Sequence, residues 1–212
     1  MIKKSVFYKF LSAVHIVFFT SILCFGIIFL SGSLLMIPSL CAAFQIGKAA
    51  MYDGLDITDS IVLTFLRYFK KSLGLERFVP VNFIMLLNLA GMYFAADAGL
   101  IPACLVIFSM LLTLCLYIAG YAVFVDDKFR LEEAAVAMLV KPLSVLSIFT
   151  AMLLLTCFFS GMIAAVLVLM GTFFLFVAEL VIFLTMLKYR QMSGQLDEGD
   201  KFAYMLDRRS DK

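Results

Sequence analysis

The sequence predicts an all-α, polytopic bundle of transmembrane helices, and three observations predict it. Of 212 residues, 64% are hydrophobic and only 15% are charged, whereas soluble domains are nearer half apolar and a quarter charged. Apolar runs of membrane-crossing length recur at 11–37, 79–96, 100–125, 142–159 and 162–190, against the ~20 residues that cross a ~30 Å hydrocarbon core. Of the seventeen Lys and Arg residues, all but Lys188 and Arg190 at the end of the last run fall between these runs or at the chain ends. A short return leg at 39–52 and two interfacial helices at 57–73 and 131–141 complete the predicted membrane domain, 1–190, with 191–212 as a polar cytoplasmic tail.

Lys3, Lys4 and Lys9 precede the first run, whose only ionisable side chain is His15. The run is far longer than the ~7–15 apolar residues of a signal peptide and ends without a small-x-small cleavage site, so it reads as a retained first helix closing on Pro38. Ser39 to Tyr52 follows, rich in small residues: Ser39, Ala42, Ala43, Gly47, Ala49 and Ala50. Small residues let helices approach closely in a bilayer. An aqueous connecting helix and a short leg packed back into the membrane both fit this stretch.

From Ile57 to Leu73 the apolar residues Ile57, Ile61, Val62, Phe65, Leu66, Phe69 and Leu73 recur at steps of one, three or four. That spacing lines one face of a helix. Asp56 is placed to cap its first turn, Arg67, Lys70 and Lys71 lie towards its end, and Gly74 follows, so the charges complement the helix dipole. Such a helix lies in the interface, its basic residues among anionic headgroups at about 1 kcal/mol each.

Two tight hairpins are predicted next, 79–96 with 100–125 around Asp97 to Gly99, and 142–159 with 162–187 around Ser160 and Gly161. The charged connection Asp126 to Glu133 separates them and leads into the second interfacial piece, with Leu131, Ala134, Ala135, Met138 and Leu139 as its apolar residues. Pro38, Pro80, Pro102 and Pro142 all fall at helix beginnings, where a missing N–H costs little. The two halves repeat an amphipathic helix followed by a hairpin, in hydropathy more than in residue identity.

Basic residues number three before Leu11, five between Pro38 and Val79, three from Asp126 to Lys141 and six from Lys188 onward, with none at the hairpin tips. The positive-inside rule places the last three groups in the cytoplasm and both tips outside. With five simple crossings the amino terminus would lie outside with its three lysines. If Ser39 to Tyr52 returns through the bilayer, every basic residue is inside. The second threading is preferred, with both termini cytoplasmic, and it requires that the leg be buried by its neighbours.

Glu179 is the one carboxylate well inside a membrane run. An acid there is expensive unless protonated or paired, which makes it a functional candidate. It reads first as a packing anchor facing Asn82, Asn88, Tyr117 or Tyr121, since a single acid makes a poor proton relay. His15 has no second histidine and no acidic neighbour in sequence, so metal ligation is not expected. Cys24, Cys41, Cys104, Cys115 and Cys157 lie in or beside membrane runs without CxxC spacing and read as small apolar residues. No phosphate loop, HExxH or nucleophile elbow is present, so no cofactor, nucleic-acid partner or enzymatic activity is expected.

The basic start, the first helix closing on Pro38, the small-residue stretch with Lys48, the Asp53-Gly54 turn and the aromatic-basic FLRYFKKSLGL from Phe65 resemble the YesL-like family of bacterial membrane proteins of unknown function. The resemblance covers about residues 5 to 190 and concentrates between Pro38 and Leu75. Members are often encoded beside carbohydrate-uptake ABC systems and polysaccharide-degrading enzymes, which implies a bacterial plasma-membrane protein with an auxiliary role in sugar use. No catalytic residues carry over.

Three functions compete. A non-enzymatic accessory protein, binding a partner such as an ABC sugar-transport permease through surface helices including Arg67, Lys70 and Lys71, leads. A small carrier using Glu179 is second, and a membrane enzyme third. A carrier should gather several polar side chains on facing helices around Glu179, whereas an accessory protein should have a packed apolar interior.

Overall fold

In a computed structural model the chain is all-helical among the described residues, which are 6–31, 34–52, 60–74, 81, 83–84, 87–88, 90–91, 101–125, 131–158 and 164–195. The helices are α1 (Val6–Leu30), α2 (Met36–Tyr52), α3 (Ile61–Ser72), α4 (Ile101–Phe124), α5 (Leu131–Val140), α6 (Pro142–Phe158) and α7 (Ala164–Met192). Val81, Phe83, Ile84, Leu87, Asn88, Ala90 and Gly91 are also helical. The hairpin tips at 97–99 and 160–161, the charged segment 126–130, Pro80, Asp56 and the tail beyond Gln195 lie outside the described residues.

Three of these helices are long and apolar enough to cross a membrane, over Leu11–Ile28, Ile101–Phe124 and Gly171–Met192. Among the described residues these are three of the five expected long spans, or four if the bent pair α5 and α6 counts as one. The run 142–159 becomes the 17-residue α6, which pairs with α5 across a 96° bend at Lys141, and 79–96 is described only in part. That bend sets α5 nearly at right angles to α6. Its buried residues are Ala134 and Ala137, while Ala135 and Leu139 point outward, so the inward face differs from the one predicted. Large apolar side chains cover the outside of the bundle, among them Leu30, Leu143 and Phe173, each at least 70% exposed. In water such a surface would aggregate; against lipid tails it costs nothing.

The first predicted run, 11–37, divides. The chain leaves α1 at Leu30, and the Ser31 hydroxyl both donates to the Ile28 carbonyl (3.2 Å) and accepts from the Leu35 amide (3.2 Å). Ser31-Gly32-Ser33 was the turn signal in the sequence, because serine offers the backbone an alternative partner and glycine resists helix. Pro38 therefore sits in the first turn of α2, not at the end of α1. Pro102 and Pro142 occupy the first turns of α4 and α6 in the same way, where the first N–H groups of a helix have no internal partner.

The predicted return leg, 39–52, lengthens to the 17 residues of α2, about 26 Å at 1.5 Å per residue. It is the most enclosed element. Every residue from Met36 to Phe44 is buried, as are Ile46 and Ala49, and α1, α3 and α4 pack against it. Small side chains explain the closeness, since Ser39, Ala42, Ala43 and Gly47 let neighbouring backbones approach.

Contacts fix the helix directions. On α2 and α4, Cys41 lies at Ala119 and Lys48 at Val123, so numbering rises together and the two are parallel. On α2 and α7, Gly47 meets Glu179 and Tyr52 meets Phe183, again parallel. On α1 the order is reversed, with Thr20 at the level of Glu179 and Phe25 against Gly171. The start of α1 and the ends of α2, α4 and α7 gather at one end of the bundle. There an aromatic layer closes it, Phe44 and Phe183 each packing on Phe124 with centroids 6.2 and 5.3 Å away. Lys48 Nζ donates to the Val123 carbonyl at 2.6 Å and Lys141 Nζ to the Leu184 carbonyl at 3.3 Å. A cation at the last carbonyls of α4 complements that helix end.

The interfacial helix predicted at 57–73 is described from Ile61 to Ser72, preceded by Ser60, whose side chain makes no capping bond. Ile61 and Phe65 turn inward, and Phe65 stacks on Phe69 at 6.3 Å. Val62, Leu63 and Leu66, assigned in part to the buried face by spacing alone, point outward with Arg67, Lys70 and Lys71. α3 packs on α2 and α1, leaving this mixed face for its surroundings.

Candidate functional site

Membrane interiors force each hydroxyl to find a partner, and the commonest here is its own helix. Ser21, Ser39, Ser109, Thr113 and Thr185 each donate to the carbonyl four residues earlier, at 2.7–2.8 Å. That bond satisfies the group without a second helix. Thr20 departs from the pattern: its Oγ1 is buried and has no hydrogen-bond partner.

Thr20 belongs to an inward stripe on α1 formed by Ser12, Ile16, Thr20, Ser21 and Cys24, all buried. Their spacing of three or four residues puts them on one face. Opposite them are Ala43, Ile46 and Gly47 of α2, and Leu175, Phe176 and Glu179 of α7. Ile16, Val17, Thr20 and Ser21 of α1 and these residues of α2 and α7 line a crevice of about 20 Å³, room for one water-sized particle.

The Glu179 carboxylate lies flat on Gly47. A Cβ added there would stand 1.6 Å from Oε1, 2.5 Å from Cδ and 2.9 Å from Oε2, so only glycine admits the acid in this position. Oε1 is buried and has no hydrogen-bond partner. Lys48, the next residue along α2, turns its ammonium to Val123 instead. The Cys24 thiol feels the fields of both the carboxylate and Cys41.

None of the described partners expected for Glu179 bonds to its Oε1, and the buried Tyr117 hydroxyl has no hydrogen-bond partner of its own. Tyr121 donates its hydroxyl to Glu133 Oε2 and packs edge-on against Tyr189 at 5.9 Å. Tyr117 lies beside Thr185. Asn88 has a buried, unpartnered Oδ1 but does not line the crevice, and Asn82 lies outside the described residues. Sequence reasoning missed Thr20, Ser21 and Gly47. The polar stripe of α1 and the small residue at position 47 were the signals.

Arg67, Lys70 and Lys71 stand exposed on α3, away from the crevice. His15 packs against Phe19 with the rings tilted at 45° and centroids 4.5 Å apart, beside Leu11 and Phe18 on the outer side of α1. Cys24, Cys41 and Cys115 are buried and outside any disulfide, with Cys41 directed at the Ala119 carbonyl. Among the described residues no three His, Cys, Asp or Glu side chains converge as metal ligands.

No family model, curated protein or solved structure matches the chain. The YesL-like resemblance rests on the sequence features between Pro38 and Leu75.

Proposed function

We propose that the chain is a non-enzymatic accessory protein of the bacterial plasma membrane, with both termini cytoplasmic, that binds a partner through its surface helices. The observation that carries this reading is the outer face of α3, where Val62, Leu63 and Leu66 are 45–65% exposed beside Arg67, Lys70 and Lys71. Apolar and cationic side chains together suit a membrane interface and whatever protein shares it. The enclosed apolar interior around α2 supports the accessory reading further. An auxiliary role beside a carbohydrate ABC permease follows from the YesL-like resemblance. The alternative, a small carrier, is favoured by one observation: the unpartnered Glu179 carboxylate in its crevice.

Charge reversal tests the α3 face. Exchanging Arg67, Lys70 and Lys71 for Glu removes three favourable lipid contacts and creates three unfavourable ones, several kcal/mol at about 1 kcal/mol per charge. Recovery of a co-purifying permease from membranes, or membrane insertion itself, is expected to fall severalfold. Unchanged yield and partner recovery would reduce this face to a solvated surface.

The threading has its own test. Single cysteines at positions 2, 98, 160 and 205, in a chain stripped of its native cysteines, are expected to react with an impermeant thiol reagent from outside at 98 and 160 only. Labelling at position 2 in intact cells would restore five simple crossings and an external amino terminus.

A further inference from the structure

We infer that the crevice between α1, α2 and α7 is a binding site for one small monovalent cation, a proton or a sodium ion, held by Glu179 and Thr20. The first argument is charge. A carboxylate inside a membrane bundle requires a counter-charge or a proton, because the surroundings solvate an isolated anion poorly. Among the described residues Glu179 has no ion pair, and the crevice lining contains no basic side chain. The Cys24 thiol, which feels the field of Glu179 and of Cys41, cannot supply positive charge. Lys48 is directed to the end of α4 at 2.6 Å.

The second argument is the spare hydroxyl. Ser21, one residue on, returns its hydroxyl to the Val17 carbonyl, but Thr20 Oγ1 is left unpartnered in the same crevice as Glu179 Oε1. An anionic and a neutral oxygen left unpaired around a space of about 20 Å³ match a single ion or water in size and chemistry. Phe176, 44% exposed, forms the outer rim, so the site opens between α1 and α7 towards the lipid. The assignment concerns binding, not transport, and stands or falls apart from the accessory reading.

A hydrophobic carbodiimide, which reacts with protonated carboxyl groups and approaches from lipid, is the probe. The full-length protein in native membranes is treated with dicyclohexylcarbodiimide in choline buffer from pH 5 to 9, with and without sodium chloride replacing choline chloride. Adduct on the peptide containing Glu179 is then quantified by mass. For a sodium site, saturating sodium is expected to suppress labelling at fixed pH by tenfold or more. For a proton site, labelling falls about tenfold per pH unit above a midpoint and ignores sodium. Glu179→Gln removes the adduct, which identifies the residue. Thr20→Val keeps the acid and is expected to shift the sodium or pH midpoint by at least threefold in concentration. No adduct at any pH, an adduct indifferent to both pH and sodium, or midpoints unmoved in Thr20→Val would each overturn the assignment.

Discussion

Gly120→Leu is expected to abolish the folded bundle, and Gly120→Ala to weaken it markedly. A Cβ at Gly120 would stand 2.2 Å from Ile182 Cγ2 and 3.6 Å from both Ile182 Cβ and Phe44 Cε2. Ile182 is buried in α7, and a β-branched side chain in a helix has essentially one χ1 rotamer, so the methyl group cannot rotate out of the way. The helices must separate instead. Overpacking a close-packed interior costs about 1–3 kcal/mol for small additions, and leucine adds three carbons beyond the first. Thermal unfolding in detergent should show Gly120→Ala below the parent and Gly120→Leu absent from the monodisperse fraction. Ile182→Ala removes Cγ2 and should restore part of the loss in Gly120→Ala. Equal stability of Gly120→Leu and the parent would mean that α4 and α7 do not meet at this point.

Gly120 was silent in the sequence because a glycine within an apolar run has no periodic signal of its own. The role of α2 was legible for the opposite reason. Six small residues between Ser39 and Ala50 announced the close packing that buries α2. The split after Leu30 was missed because hydropathy averages over a run and gives little weight to a single serine such as Ser31. On α3 the period located the helix but not its rotation: Val62 and Leu66 fit an apolar face, yet in an interface both faces have partners, and burial alone no longer decides which turns inward.

Glu179 itself was conspicuous, being the only acid in a long apolar run. Its environment was not. Asn and Tyr are the usual hydrogen-bonding groups to seek in a membrane, but Tyr121 is drawn to Glu133 on α5, a partner supplied by an element whose docking no local pattern specifies. The seat of the carboxylate depends on a missing side chain at position 47 and a hydroxyl 27 residues earlier on α1, and long-range pairing of that kind lies in the tertiary contacts alone.

Gly47→Leu should be the second severe lesion, and its graded relative Gly47→Ala shows why. In Gly47→Ala the new methyl group would overlap Glu179 Oε1 at 1.6 Å, but the carboxylate is the far end of a flexible side chain and can swing away. The backbones of α2 and α7 need not part. The displaced acid must then go towards Phe176 and lipid or into the crevice beside Thr20, and neither place offers it a charge partner. Interaction energies of neighbouring residues run to about 0.5–3 kcal/mol, so Gly47→Ala should lose about 1–2 kcal/mol in the parent and little in a Glu179→Ala background. Gly47→Leu adds three further carbons between α2 and α7 and should fail in both backgrounds. Unfolding midpoints of Gly47→Ala, Glu179→Ala and the double variant, measured in one detergent, close the cycle. Strict additivity would place the carboxylate away from Gly47, and would remove the geometric basis of the crevice with it.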